Sequence, residues 1–248
     1  MLKIIKVAGP QEGVEVCKKL LYELVSKNTV LFLSGGSTPK NLYEILAKEK
    51  KLKAGAVAMV DERYVSKSKI SFDPELRTEG KNQKSKVKEQ NSELGTNELM
   101  IKNTQLLSYL DKSNIKFYPV LENKEIVKTA LDYDETVRFL FSHFQKSVAI
   151  LGVGTDGHTA GIPVGIQNSE TDLVTSFDNF PGEFKKRISL TFLGLSKFDQ
   201  IIVMVFGEDK KKALKLILRS GSLSEIPARF LTQEEIAGKV TLITDQSV

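Results

Sequence analysis

Cysteine, tryptophan and histidine are nearly missing from this chain: one, none and two among 248 residues. The lone thiol, Cys17, excludes an internal disulfide, and with no cysteine pair and no HExxH run the common zinc patterns are absent as well. Long apolar runs are missing too. Nothing approaches the ~20 residues that cross a bilayer. The apolar run in the opening MLKIIKVAG is too short for a signal peptide, and no small-residue cleavage site follows it. These absences predict a cytoplasmic protein with no membrane partner, no metal and no redox staple. Acidic residues are the minority charge, 31 against 36 Lys and Arg, giving a formal +5. The excess lies in scattered lysines without interleaved aromatics. It predicts no nucleic-acid partner and suits an anionic small molecule.

What is present alternates between two periods. Val14, Cys17, Leu20, Leu21 and Leu24 stand at helical spacing over 13–26, and TVLFL at 29–33 is a short apolar run that meets SGGSTP. A helix follows to about Lys50, with Pro39 in its first turn, where a missing N–H is tolerated. AVAMV at 56–60 is the next strand and ends in Asp61-Glu62-Arg63. Helices are predicted at about 97–111 and 124–145, with IKFYPV between them as a strand. Strands follow at 147–153, 187–191 and 200–207, then a lysine-rich helix to about Ser220 and a last strand at 239–244. Short, nearly all-apolar strands separated by helices predict an α/β fold whose mostly parallel sheet is covered on both faces.

Residues 64–95 interrupt this order. Lys67, Lys69, Arg77, Lys81, Lys84, Lys86 and Lys88 stand against Asp73, Glu75, Glu79, Glu89 and Glu93, with few large apolar residues. Such a stretch buries little surface. It is expected to be a tolerated surface insertion rather than a lid. With no repeat and no linker, the chain reads as one domain carrying that insertion.

Three polar strings fall at predicted strand ends, where open α/β sheets bind ligands. In 34-SGGSTPK-40, Gly35 and Gly36 let backbone approach a ligand. Ser37 and Thr38 add hydroxyls and candidate helix caps, and the helix start offers N–H groups to a phosphate. The string lacks P-loop spacing, and Pro39 stands where a nucleophile elbow needs glycine. A plain capping turn is an equal reading. In 61-DER-63 the alternatives are a surface salt bridge or a substrate-facing acid, Asp61, beside an anion-binding Arg63. In 151-LGVGTDGHTAGIP-163, glycines allow Asp156 and His158 to turn toward one point. The carboxylate can then hold the imidazole in one tautomer as a general base. His143, within FLFSHF, is expected to be structural.

These strings, in this order, resemble the 6-phosphogluconolactonase family, whose superfamily also holds glucosamine-6-phosphate deaminase. The resemblance rests on SGGSTP at 34–39, DER at 61–63 and GVGTDGHTA at 152–160, with RISLT at 187–191, GEDK at 207–210 and PA at 227–228. It implies a Rossmann-like three-layer α/β/α fold and hydrolysis of a phosphosugar lactone in the pentose phosphate route, with no cofactor. By the same resemblance His158 takes a proton from water and Asp61 orients base or substrate. The phosphate rests on Gly35, Gly36, Ser37 and Thr38, and Arg63, Arg187 and Lys210 supply positive charge. N–H groups of the loop holding Gly152, Gly154 and Gly157 steady the developing oxyanion.

The departures surround the sugar site. The family's Ser-Asn pair after DER has its counterpart in Thr96-Asn97, reached only past the insertion, and GIP follows Ala160 in place of the family's Ser-Leu-Phe-Pro. The deaminases place a glutamate five residues after the loop histidine, where this chain has Pro163, and their Asn-Glu-Pro is missing. Lactonase is therefore preferred to deaminase. A sensor without turnover is disfavoured because Asp61, Asp156 and His158 are all kept.

Overall fold

The five residues Thr29–Leu33 are buried without exception. Successive strand residues point to opposite faces, so this strand must be covered on both. The computed structural model describes residues 1–65, 95–121, 125–166, 171–181 and 183–247. Among these, seven strands form one sheet that is parallel throughout: β1 (Lys3–Lys6), β2 (Thr29–Leu33), β3 (Ala56–Met59), β5 (Lys116–Tyr118), β6 (Lys146–Gly152), β9 (Gln200–Val205) and β10 (Val240–Thr244). Their spatial order is β1-β10-β9-β6-β2-β3-β5. Three more, β4 (Asp61–Arg63), β7 (Val174–Phe177) and β8 (Arg187–Leu190), form a small antiparallel sheet in the order β4-β8-β7.

The helices are α1 (Pro10–Leu24), α2 (Ser37–Glu49), α3 (Asn97–Asn103), α4 (Leu106–Lys112), α5 (Ile126–His143), α6 (Phe192–Ser196), α7 (Lys211–Ile217) and α8 (Glu234–Ala237). Helix α1 opens on Pro10 and buries Gly13, Val14, Cys17 and Leu21, the spacing of one helix face. It packs on α2, and α2 on α4. From α5, Phe141 stacks on Phe32 of β2 at 5.5 Å, with Phe198 edge-on to both rings. This is the α/β arrangement with a mostly parallel sheet that the residue pattern predicts. Among the described residues no helix is long and apolar enough to cross a membrane, and no three His, Cys, Asp or Glu side chains gather as metal ligands.

The crevice follows from the strand order. The chain leaves β2 for β3 on one side, whereas β6 leads to β9 on the other. Connections from neighbouring β2 and β6 therefore diverge, and the gap at their carboxyl ends is where such sheets bind ligands. SGGSTP leaves β2 there, and the histidine loop leaves β6.

Two local expectations need correction, two strands were not foreseen, and one expectation lies mostly outside the described residues. Asp61-Glu62-Arg63 does not end the β3 strand. The chain turns out of the parallel sheet at Val60 and pairs antiparallel with Arg187–Ser189, so β8 also lies in the small sheet. The helix expected over 97–111 breaks where Gln105 takes a left-handed conformation (φ 67°) and Thr104 Oγ1 accepts from the Leu106 N–H. The edge strand β1 and the strand β7 carry no strong sequence signal. Of the 64–95 insertion, residues 66–94 lie outside the described residues.

Cys17 is fully buried, and burial pushes its thiol up to about 12. A thiolate is the reactive form. A thiol reagent at pH 8 is therefore expected to leave the native chain unlabelled and to take up one equivalent in denaturant; labelling at equal rates would refute this packing.

Candidate active site

The crevice is a cavity of about 230 Å³ whose walls come from both strand ends, from β4 and β8, and from the turn before α7. Gly36 is the N-cap of α2, with φ 100°. That conformation is strained for any L side chain. No side chain caps the helix, so Ser37 and Thr38 are its first residues rather than its caps. Their N–H groups and the positive helix end stay directed at the cavity mouth. Tyr43, one turn on, donates to the Ser34 carbonyl at 2.8 Å and ties the loop to its own helix. Gly35 is needed for room: a methyl there would fall on the side-chain amide of Asn97.

Asn97 begins α3 and donates to the Asp61 carbonyl at 3.0 Å and to Asp61 Oδ2 at 3.1 Å. Asp61 is buried, which raises its pKa; Arg187, with Nη1 at 3.9 Å from Oδ2, opposes that rise, as do His158 and Asn97. Glu62 points the other way and never reaches the cavity. It accepts the N–H groups of Arg63, Asn97 and Glu98 at 2.6, 2.6 and 2.8 Å. Burial pushes its carboxyl up to about 8 against those three donors. The surface salt bridge is thus excluded for this carboxylate: it caps α3 from the end of β4, and so sets where Asn97 stands.

Arg63 and Arg187 face one another across the β4–β8 pair. Like charges opposite each other destabilise a sheet. Burial depresses the Arg187 pKa, Asp61 counters that, and Arg63 adds to it. Arg63 Nη1 donates to the Gly95 carbonyl at 2.6 Å. The Nε atoms of both arginines are buried without a partner among the described residues. Lys210 closes the cavity from the 3-10 turn Glu208–Lys210.

The histidine loop is braced from several sides. Thr159 Oγ1 donates to the Gly152 carbonyl, Gly161 N–H to Ser189 Oγ, and Ala228 N–H to the Gly157 carbonyl. Ala160, a left-handed residue at φ 53°, lies on the cavity wall; such strain persists only where surrounding bonds fix it. His158 also lines the cavity. Its Nδ1 is 2.6 Å from Asp156 Oδ1, which also accepts the His158 N–H at 3.1 Å. The imidazole bond pulls the Asp156 carboxyl down to about 2. An ionised carboxylate only accepts, so Nδ1 carries a proton, and in the neutral tautomer the lone pair is on Nε2.

One cavity therefore gathers His158, Asp61, Gly35, Gly36, Ser37, Thr38, Arg63, Arg187, Lys210, Gly152 and Gly154. Asp156 and Gly157 stand off its walls, the first bound to the imidazole and the second packed on Ile226. The loop oxyanion assignment needs correction at two positions. Gly154 N–H donates to the His158 carbonyl at 2.8 Å and Gly157 N–H to the Gly154 carbonyl at 3.1 Å. Neither amide is free to meet an oxyanion. His143 stacks on Phe139 at the end of α5, away from the cavity. Residue reasoning missed Glu62 as a cap, the Ser34 hydroxyl, buried without a partner among the described residues, and two phenylalanines beneath the arginines. Asn97 was reachable only through the resemblance.

An uncapped helix start, two arginines and an oriented histidine meet at a topological switch point of this α/β protein, a setting whose charge suits an anionic small molecule. The sequence pattern of the glucosamine-6-phosphate isomerases/6-phosphogluconolactonase family matches residues 87–242. The chain belongs to that family. It is 30% identical over 210 residues to the 6-phosphogluconolactonase of Nostoc, covering 80% of this chain and 75% of that protein. It is also 25% identical to the glucosamine-6-phosphate deaminase of Clostridium beijerinckii, over 100% of this chain and 98% of that one. The crystal structure of 6-phosphogluconolactonase from Thermotoga maritima has the same fold, with a TM-score of 0.68, 24% identity and 98% coverage of each chain.

Proposed function

We propose that this chain hydrolyses 6-phosphogluconolactone to 6-phosphogluconate in the cytoplasm, acting as one domain. The observation that carries the reading is the His158–Asp156 bond at 2.6 Å on the wall of a cavity that also presents Arg63, Arg187 and Lys210. His158 Nε2 removes a proton from water as the water oxygen attacks the lactone carbonyl. The ring C–O bond then breaks, and the imidazolium returns the proton to the leaving oxygen. The free N–H groups of α2, with Lys210 and Arg63, hold the phosphate and so orient the carbonyl. Arg187, steadied by Asp61, meets the oxyanion, since the Gly154 and Gly157 amides are engaged within the loop. An activated ester needs no covalent nucleophile and no cofactor.

Both activities named among the relatives act on sugar phosphates, so the decisive test runs them together. Acid release from fresh 6-phosphogluconolactone is followed against its spontaneous hydrolysis, and ammonia release from glucosamine 6-phosphate in parallel. Faster acid release without ammonia is expected, because Pro163 stands where a deaminase keeps its glutamate and Asp61 is the one carboxylate among the described residues of the cavity wall. Ammonia without acid release would make the chain a deaminase instead.

A further inference from the structure

The turn between β7 and β8 brings no charged atom to the cavity wall among its described residues, yet it sends a phenylalanine ring to each of the two opposed arginines. Phe180 is buried, and its N–H donates to the Lys185 carbonyl at 2.9 Å, closing the turn. The Arg187 guanidinium carbon lies 4.3 Å from the centre of the Phe180 ring. The same ring stands 5.1 Å from the His158 imidazole, edge to face at 84°. Phe184 repeats the first contact, 4.7 Å from the Arg63 guanidinium carbon, and packs on Gly95.

The bonding of these groups shows why a ring is needed. The Arg187 guanidinium has no hydrogen bond among the described residues; its Nε is buried and unpartnered, and its ion pair to Asp61 is at 3.9 Å. A guanidinium held by one distant charge, with a second guanidinium opposite, would settle in several poses. A π face below it attracts the cation and restricts it to a plane. Among the described residues the His158 ring is hydrogen-bonded only by Asp156, at Nδ1, and one hydrogen bond still leaves a ring free to rock about its axis. The edge-to-face contact removes that freedom.

We propose that Phe180 is a positioning residue of this site: one buried ring sets the pose of both the Arg187 guanidinium and the His158 imidazole, and Phe184 does the same for Arg63. The catalytic consequence rests on the hydrolase reading above. The placement itself does not.

The test uses Phe180→Leu, which keeps an apolar side chain but no π face, and Phe180→Tyr, which keeps the face. In lactone hydrolysis kcat/KM is expected to fall about tenfold for leucine and to return to within about twofold of native for tyrosine. In an Arg187→Ala background the leucine change is expected to lose much of its effect, because part of its action runs through that guanidinium. A second readout needs no turnover. The chain has two histidines, and His143→Gln, outside the cavity, assigns their imidazole resonances. The His158 signal is expected to be displaced by the neighbouring ring in native and Phe180→Tyr chains, and to move toward the free-imidazole position in Phe180→Leu.

Native kcat/KM and an unmoved His158 signal in Phe180→Leu would overturn the proposal. So would equal losses in the leucine and tyrosine variants with a matching drop in melting temperature, which would make the ring mere packing. A native chain without lactone hydrolysis would overturn the reaction assigned above, while the resonance shift still decides the placement.

Discussion

Lactone hydrolysis by His158→Ala is expected to run about 10²–10⁴-fold slower than native, with KM nearly unchanged. That range is the usual contribution of a positioned base, about 3–5 kcal/mol of barrier. The prediction is large because nothing else among the described residues can take the role. Asp61 is buried and engaged by Asn97, with Arg187 beside it. Lys210, Arg63 and Arg187 are cations, and Asp156 stands behind the imidazole rather than in the cavity. The fold is expected to survive, because the His158 side chain is 30% exposed and its removal opens no core cavity. The measurement is acid release at fixed pH after subtraction of background, beside a thermal melt. A variant as fast as native would remove His158 from the mechanism and leave only the substrate.

The second large effect is steric. A methyl at position 154 would fall on His158 Nδ1 and Asp156 Oδ1. Gly154→Ala must therefore push the imidazole away from its carboxylate or displace the loop. Misplacement of a catalytic group by about 1 Å can lower the rate about 10²-fold, and a loss of that order in kcat is expected. The melting temperature should change little, since the atoms met are the ends of two partly exposed side chains and the clash can be relieved toward the cavity. Gly238→Ala is the matched control: nothing lies within 4 Å of the added methyl, and native activity is expected. Native kcat in Gly154→Ala would mean that the Asp156–His158 bond does not govern the rate.

The parts of the fold legible in the sequence are those where burial repeats locally. TVLFL, AVAM and the run ending at Gly152 are apolar at nearly every position because both of their faces are covered. β1 was not legible because KIIK lies at the sheet edge and is mostly exposed. VTSF of β7 is four residues long and half covered. The break after α3 depends on one Thr hydroxyl and one left-handed Gln, which no periodicity signals.

The site divides the same way. Its glycines, the Asp156–His158 pair and the phosphate-ready helix start announce themselves because each is a short run whose chemistry depends on neighbours in sequence. Arg63 and Arg187 could be named as cations, but their opposition across β4 and β8 could not. Glu62 looked like half of a surface pair, and its burial against the start of α3 appears only when residues on either side of the insertion meet.

The sequence alone determined that this chain is an α/β protein with a mostly parallel sheet, a glycine loop ahead of a helix start at one strand end and a histidine beside a carboxylate at another. Local order suffices for these, since hydrophobic period and loop composition act over a few residues. Tertiary structure decided which amides remain free, which carboxylate faces the cavity and which rings lie beneath the arginines. Each of those depends on antiparallel pairing and packing between segments far apart in the chain, where contact is set by the whole fold rather than by spacing.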